Sequence, residues 1–292
     1  MIYAVVFPGQ GSQYPGMGEE LQETDLAQDY FNRAKKILGF DILDVMINGN
    51  EEDLKQTKVT QPAVFLHSFI KFQLHKKDLK IEAYTGHSLG EITAIVASGC
   101  LGFEEGLTLV KERAFAMQDA CQKAESTMAA VLGLDNRSIE GILSEFGKEV
   151  VAANYNCPGQ VVISGSKSGV TEASQKLRDI GAKRVLELKV GGAFHSPYME
   201  PASLRLNDAI DATDFAIPDK PIYQNFDAKP SKDPFIISSN LKRQLVSPVL
   251  WTQTVKNMVA DGFTHFAEIG GKGNVLAGLI RKIDRAVEVK II

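Results

Sequence analysis

Residues 86–90 read Gly-His-Ser-Leu-Gly. They stand between a β-like run, Ile81–Thr85, and an apolar helical run, Glu91–Ala97, that Gly99 closes. A glycine-x-Ser-x-glycine segment so placed forms a sharp strand-to-helix bend with the serine oxygen pushed outward. Gly86 and Gly90 leave room for the tight turn and for close packing of the strand on the helix. The pattern is short, and an ordinary glycine-flanked turn has the same letters. The strand-turn-helix setting favours Ser88 as a nucleophile. It also demands a sheet with helices packed against it, and so an α/β fold.

The rest of the chain fits that demand. Met1–Phe7 is an apolar run too short and too uncharged for a signal peptide, and reads as a first buried strand. Helical patterns follow over 26–38, 61–75 and 104–121. In the last of these Leu107, Val110, Ala114, Met117 and Cys121 share one face. Beyond residue 122 the order becomes strand (127–134), helix (138–146), strand (150–155), strand (160–165), helix (168–180) and strand (183–190). That β-α-β-β-α-β order is ferredoxin-like. Asn156-Cys157-Pro158-Gly159 supplies hairpin turn chemistry between its middle strands. His265–Ile269 reads as a late strand before Gly270-Gly271. The expected architecture is a large α/β-hydrolase-like domain with a parallel-sheet core (1–122 and 197–292). A small ferredoxin-like subdomain (123–196) is inserted in it, and the two leave a cleft where ligands bind.

A serine hydroxyl needs a base. Among the five histidines, His67 and His75 lie on a helix pattern, His265 lies in a strand, and His87 should support the turn beside Ser88. That leaves His195, in the loop Gly191-Gly192-Ala193-Phe194-His195-Ser196, where the small unit re-enters the large one. No acid between Ser88 and His195 stands out as its orienting partner. A Ser-His dyad is expected, with a backbone carbonyl, such as one from 244–248, holding the imidazole. The oxyanion would receive the N–H of Leu89 and the N–H of Gln10, in the loop Phe7-Pro8-Gly9-Gln10-Gly11-Ser12-Gln13. A phosphate-cradling role for that loop is disfavoured because no Gly-Lys-Ser/Thr follows. Arg113 falls on the same helical face as Met117. It is either half of an internal ion pair, with Glu91 or Asp119, or a guanidinium awaiting a carboxylate, which its planar fork can grip with two hydrogen bonds.

Composition excludes other classes. The chain carries net charge −4 over 292 residues with 44% hydrophobic residues, which gives no sign of nucleic-acid binding. No run approaches transmembrane length. Cys100, Cys121 and Cys157 are too few and too far apart for a disulfide framework or a zinc site, and read as free thiols in a reducing cytoplasm. No metal or bound cofactor is expected.

Seven segments in order resemble the malonyl-CoA:acyl carrier protein transacylase family along essentially the whole chain. They are Phe7–Gln13, Thr60-Gln61-Pro62-Ala63, Gly86–Glu91, Arg113 with Met117-Gln118, Asn156–Gln160, Ala193–Ser196 and Gln244-Leu245. The resemblance implies Ser88 as acyl-enzyme nucleophile, His195 as base, and Gln10 and Leu89 as oxyanion donors. It implies Arg113 as ligand of the malonyl carboxylate and Gln244 as the residue whose carbonyl orients His195. Phe194 would fill space beside the malonyl methylene, with Met117 as a further lining residue. Two departures stand out. Many malonyl-selective relatives have a histidine where this chain has Gly192, and the family's Gly-Pro-Gly after the late strand is here Gly270-Gly271-Lys272-Gly273-Asn274.

The resemblance implies ping-pong transfer of malonyl from malonyl-CoA, through Ser88, to the phosphopantetheine thiol of acyl carrier protein. The enzyme would be cytoplasmic and monomeric. An acidic carrier calls for a local basic patch on an acidic enzyme. Lys183 with Arg184, and Arg281 and Lys282 with Arg285, are the candidates beside the plainer reading of solvated surface charge. The alternatives are a stand-alone acyltransferase serving a polyketide synthase, a hydrolase that clears stalled carriers, and a non-catalytic carrier-binding subunit.

Overall fold

The computed structural model describes all 292 residues. β1 (Ile2–Phe7) is followed by α1 (Asp25–Leu38), α2 (Ile42–Asn48), α3 (Glu51–Lys55) and α4 (Thr57–His75). β2 (Lys80–Gly86) leads into α5 (Leu89–Ala97) and α6 (Phe103–Lys123). Next come β3 (Ser126–Leu132), α7 (Asn136–Leu143), β4 (Val150–Cys157), β5 (Gln160–Ser166), α8 (Lys167–Asp179) and β6 (Arg184–Glu187). The chain closes with α9 (Glu200–Asp211), β7 (Ile222–Tyr223), β8 (Pro230–Ser231), α10 (Pro234–Gln244), α11 (Trp251–Ala260), β9 (His265–Glu268), α12 (Val275–Ile283) and β10 (Glu288–Ile291).

Two sheets result. The larger has the order β10-β9-β1-β2-β7-β8 and is parallel except where β8 pairs with β7. Its central strand has apolar residues on both faces, as a parallel sheet covered on both sides requires. Val5 and Phe7 join the main core with α4, α5 and α6, while Ala4 and Val6 pack with Trp251, Val255, Leu276 and Ile280 of α11 and α12. The β1–β2 register pairs Phe7 with Gly86. Both strands therefore end together, and the loop after β1 emerges beside the bend after β2. The carboxyl ends of parallel strands are the usual place for a ligand crevice.

The second sheet is antiparallel with the order β4-β5-β3-β6, and α7 and α8 cover one face over Ile139, Val150, Val161, Ile163 and Leu177. Met128, Ala153 and Val162 belong instead to the main core, so the opposite face of this sheet packs toward the large one. The segment after α10 adds a further tie, with the Val249 N–H donating to Ala153 O at 2.8 Å. Between β4 and β5, Pro158 and Gly159 form the turn, with Gly159 at φ 75°, a left-handed value that glycine adopts without strain.

Two sequence expectations need correction. The strand expected over 183–190 keeps only Arg184–Glu187, because the chain leaves the ladder on its way to the Gly191-Gly192 turn. The helix expected from Ser138 starts at Asn136. Asp135 caps it, accepting the Ser138 N–H at 2.9 Å, and it ends in a tighter turn over Ser144–Phe146. All three cysteines are free thiols, Cys100 and Cys157 buried and Cys121 half-buried. No helix is long and apolar enough to cross a membrane.

Candidate active site

The bend after β2 is a strained one. Ser88 has φ 54° and ψ −106°, a conformation that a non-glycine residue adopts only when its surroundings hold it there. Those surroundings are backbone at close range. A β-carbon on Gly86 would fall far inside contact distance of the Gly90 carbonyl, and one on Gly90 would strike Phe7 O. Asn225, in the loop after β7, clamps the bend from below. Its Oδ1 accepts the Ser88 N–H at 2.7 Å and its Nδ2 donates to Gly86 O at 2.7 Å. Glu91, fully buried on α5, in turn accepts the Asn225 N–H at 2.6 Å, and burial pushes its carboxyl up to about 7.

His195 also has a left-handed backbone, φ 56°, held by Ser164, whose hydroxyl donates to Phe194 O at 2.7 Å, and by Ser126, which accepts the Ala193 N–H at 3.0 Å. Its Nε2 lies 2.7 Å from Ser88 Oγ and its Nδ1 lies 2.9 Å from Gln244 O. A carbonyl only accepts, so Nδ1 carries the proton and Nε2 faces the serine as an acceptor. Burial first, and the nearby Arg113 charge second, hold this imidazole at about 3, well below its ordinary range, so it is neutral in the resting site.

Arg113 projects from the apolar face of α6 and is 1% exposed. Nη1 donates to Gln61 Oε1 at 2.7 Å, while Nη2 donates to Ser88 Oγ at 2.9 Å and to Gln244 Oε1 at 3.2 Å. Its Nε has no partner at all. Neither expected carboxylate pairs with it. Asp119 is bound to Arg205 at the surface, and Glu91 spends its oxygens on Asn225 and Gln224. Burial lowers the guanidinium to about 10, against a smaller opposing pull from the Glu91 carboxyl that it does not touch. An unpaired buried cation is costly, and a ligand carboxylate would remove most of that cost.

Gln244 is shared by every part of the site. Its carbonyl holds His195, its Oε1 meets Arg113, and its Nε2 donates to Ser88 O at 2.9 Å. Met117 Sδ lies 3.1 Å from Gln61 Nε2, and Met117 and Phe194 are both buried in the main core. Leu89 is the first residue of α5, and its N lies 3.7 Å from where a β-carbon on Gly9 would stand, with Gln10 next in the chain. Neither the Leu89 nor the Gln10 N–H donates to another protein group. His87 turns away and meets Asn156 Oδ1 at 2.9 Å through Nε2.

The basic candidates lie outside this cluster. Lys183 and Arg184 are exposed at the start of β6, next to the exposed Leu186, and Arg281 and Lys282 are exposed at the end of α12. Arg281 donates to Val289 O at 3.2 Å. The β4–β5 hairpin links the two groups. Lys183 packs on Gly133, whose N–H donates to Gly159 O at 2.9 Å; burial raises the Cys157 thiol, and Lys282 is close enough to oppose that rise in part.

Sequence reasoning assigned no role to Asn225, Gln61 or Glu91 as a clamp. Gln61 left a signal, a polar residue directly before Pro62 and the apolar run Ala63–Leu66. Asn225 left none.

Comparison with known proteins gives one consistent result. The acyl transferase domain profile matches residues 4–291. The chain is 38% identical to the malonyl CoA-acyl carrier protein transacylase of Bacillus subtilis, over 98% of this chain and 91% of the relative. It is 39% identical to the protein of the same name from Staphylococcus aureus, over 98% and 94%. Among solved structures, the malonyl CoA-acyl carrier protein transacylase of Coxiella burnetii superposes with TM-score 0.95 at 36% identity, covering 100% of this chain and 93% of that one. A malonyl-transacylase in complex with a holo type II polyketide synthase acyl-carrier protein superposes with TM-score 0.95 at 35% identity, covering 100% and 96%.

Proposed function

The chain belongs to the acyl transferase family, and from that premise we propose that it moves a malonyl group from malonyl-CoA to the phosphopantetheine thiol of acyl carrier protein through an ester on Ser88. The observation that carries the malonyl assignment is Arg113, a buried guanidinium with no carboxylate partner and its Nε–H unused, hydrogen-bonded to the nucleophile itself.

Ser88 Oγ attacks the thioester carbon and its proton passes to His195 Nε2. The negative charge that develops on the carbonyl oxygen meets the free N–H groups of Leu89 and Gln10. Collapse of the tetrahedral species expels the CoA thiolate, which takes the proton back from His195. The carrier thiol then gives its proton to His195 and attacks the ester, and collapse of the second tetrahedral species releases Ser88 Oγ, which takes that proton back from His195. Throughout, the malonyl carboxylate lies on Arg113, with Phe194 and Met117 beside the methylene. The acid-lowered imidazole suits this cycle. It rests as a base, and a carboxylate on Arg113 offsets the neighbouring charge that opposes the transient imidazolium.

The two sheets divide into units of 1–122 with 197–292 and of 123–196 in this reading, with the site in the cleft between them. The enzyme is a cytoplasmic monomer that needs no metal or cofactor. The carrier docks over the hairpin that links Lys183, Arg184, Arg281 and Lys282, and the carrier of fatty acid synthesis is the acceptor. One observation favours a second acceptor, since the malonyl-transacylase in complex with a polyketide carrier superposes with TM-score 0.95, the same value as the Coxiella burnetii enzyme. The test is to incubate enzyme, malonyl-CoA and each holo-carrier and to weigh the carriers. A malonyl adduct on a carrier supports transfer and identifies the acceptor. Release of free malonate with both carriers unmodified would instead show a hydrolase.

A further inference from the structure

A hollow of about 480 Å³ opens where four segments meet, one of them α3 with Glu51, Leu54 and Lys55. One wall is Gly11 and Gln13, directly after Gln10. Another is Lys189, just before the Gly191-Gly192 turn that leads to His195. The third is Lys272, in the glycine-rich loop after β9. That loop is fastened to the first wall, because the Lys272 N–H donates to Ser12 O at 2.9 Å and a β-carbon on Gly271 would come within 2.6 Å of Ser12 Cβ. The hollow therefore adjoins both the segment that offers an oxyanion donor and the segment that carries the base.

Its charge is one-sided. Lys55, Lys189 and Lys272 line it against one carboxylate, Glu51. Lys55 is committed to Glu52 at 2.5 Å. Lys189 and Lys272 are exposed and form no ion pair, Lys189 adding only a weaker pull to the one Lys55 exerts on Glu52, so the hollow keeps an excess of cations. A lysine ammonium serves phosphate as a point charge and needs no fixed fork geometry.

We propose that this hollow binds the phosphate ester of the pantetheine arm, with Lys189 and Lys272 as its cations. The proposal rests on the reading that the thioester reaching Ser88 hangs from such an arm. Two sources share the chemistry: the phosphates of CoA, and the phosphodiester that joins the arm to a carrier protein.

The test compares wild type with the double variant Lys189→Ala/Lys272→Ala, using malonyl-CoA, malonyl-pantetheine (which has no phosphate) and holo-carrier as substrates. Both lysines are exposed, so the fold should tolerate the change, and Lys189→Arg/Lys272→Arg serves as the charge-retaining control. If CoA is the occupant, KM for malonyl-CoA rises roughly tenfold with kcat kept, as two part-exposed charge pairs would give. If the carrier phosphodiester is the occupant, KM for holo-carrier rises by that factor instead. In either case malonyl-pantetheine is unaffected, the arginine control behaves as wild type, and added salt erodes the wild-type advantage. Unchanged KM values for both phosphate-bearing substrates would overturn the proposal, as would an equal loss with malonyl-pantetheine. Failure of the underlying reading looks different: wild type itself then gains no malonyl group from either thioester.

Discussion

Arg113→Met keeps an unbranched stem in a fully packed position and removes only the guanidinium. In the resting site this deletes three donated hydrogen bonds, to Gln61, Ser88 and Gln244, together with a buried cation whose Nε is already unpartnered. With malonyl-CoA it also deletes the grip on the substrate carboxylate. Truncating one side of a buried, hydrogen-bonded charge pair costs about 3 kcal/mol, roughly 150-fold in kcat/KM. Acetyl-CoA offers no carboxylate and loses only the hydrogen bond at Ser88 Oγ, so its rate should move by less than about tenfold. Selectivity for malonyl therefore collapses by more than an order of magnitude. Stability should change little. Two amide oxygens lose a partner, at about 1 to 3 kcal/mol each, while an uncompensated buried charge of several kcal/mol disappears. The assay is single-turnover loading followed by intact mass, run with each thioester, beside a denaturant titration. Equal losses for malonyl and acetyl would refute the reasoning, because they would show that Arg113 supports the site without reading the acyl group.

Other expectations follow from the same geometry. Asn225→Ala removes the acceptor for the Ser88 N–H and the donor to Gly86 O. It should cost about 2 kcal/mol in a denaturation midpoint and lower kcat, with Asn225→Asp recovering part of both. Gly90→Ala drives a β-carbon into the Phe7 and Pro8 carbonyls, which are backbone and cannot swing aside. Little folded, active protein should be recovered on expression, and a variant with normal loading rates would contradict the packing described. For pH, the sign follows from an imidazole held at about 3 against an ordinary value of 6.5. The folded state resists protonation, so the base form survives acidification and kcat/KM for loading should stay flat from about pH 7 to about pH 5. The stability linked to neutral His195 is present above 6.5 and is lost as pH falls toward 3. A loading profile that drops by half near 6.5, and still does so in Glu91→Gln, whose parent carboxyl titrates at about 7, would show an imidazole open to water.

The parts of this structure that the sequence displays are those with a local cause. The bend at Ser88 is legible because glycine is needed on both sides of it and a β run and a helix run flank it. The order of the small sheet is legible because each strand and helix has its own periodicity and Pro158-Gly159 forces a hairpin. The closeness of His195 to Ser88 has a weaker local sign, the glycine-rich loop at the end of the small unit. What was not legible depends on long-range packing. Asn225 follows a two-residue strand with no pattern of its own, yet it reaches both Ser88 and Gly86. Glu91 looked like a partner for Arg113 and instead clamps the Asn225 backbone. The helical face placed Arg113 inward, but no periodicity could say that its guanidinium would touch the serine oxygen. The short strands β7 and β8 and the edge strand β10 are set by their neighbours in the sheet, and their own residues carry no alternation long enough to read.

The most direct measurement is the intact mass of the protein after brief incubation with malonyl-CoA, for wild type and for Ser88→Ala. The account predicts one malonyl addition on wild type, transferable to holo-carrier, and none on the variant. An adduct that persists in Ser88→Ala, or wild type that transfers malonyl without ever carrying it, would contradict the covalent role given to this serine.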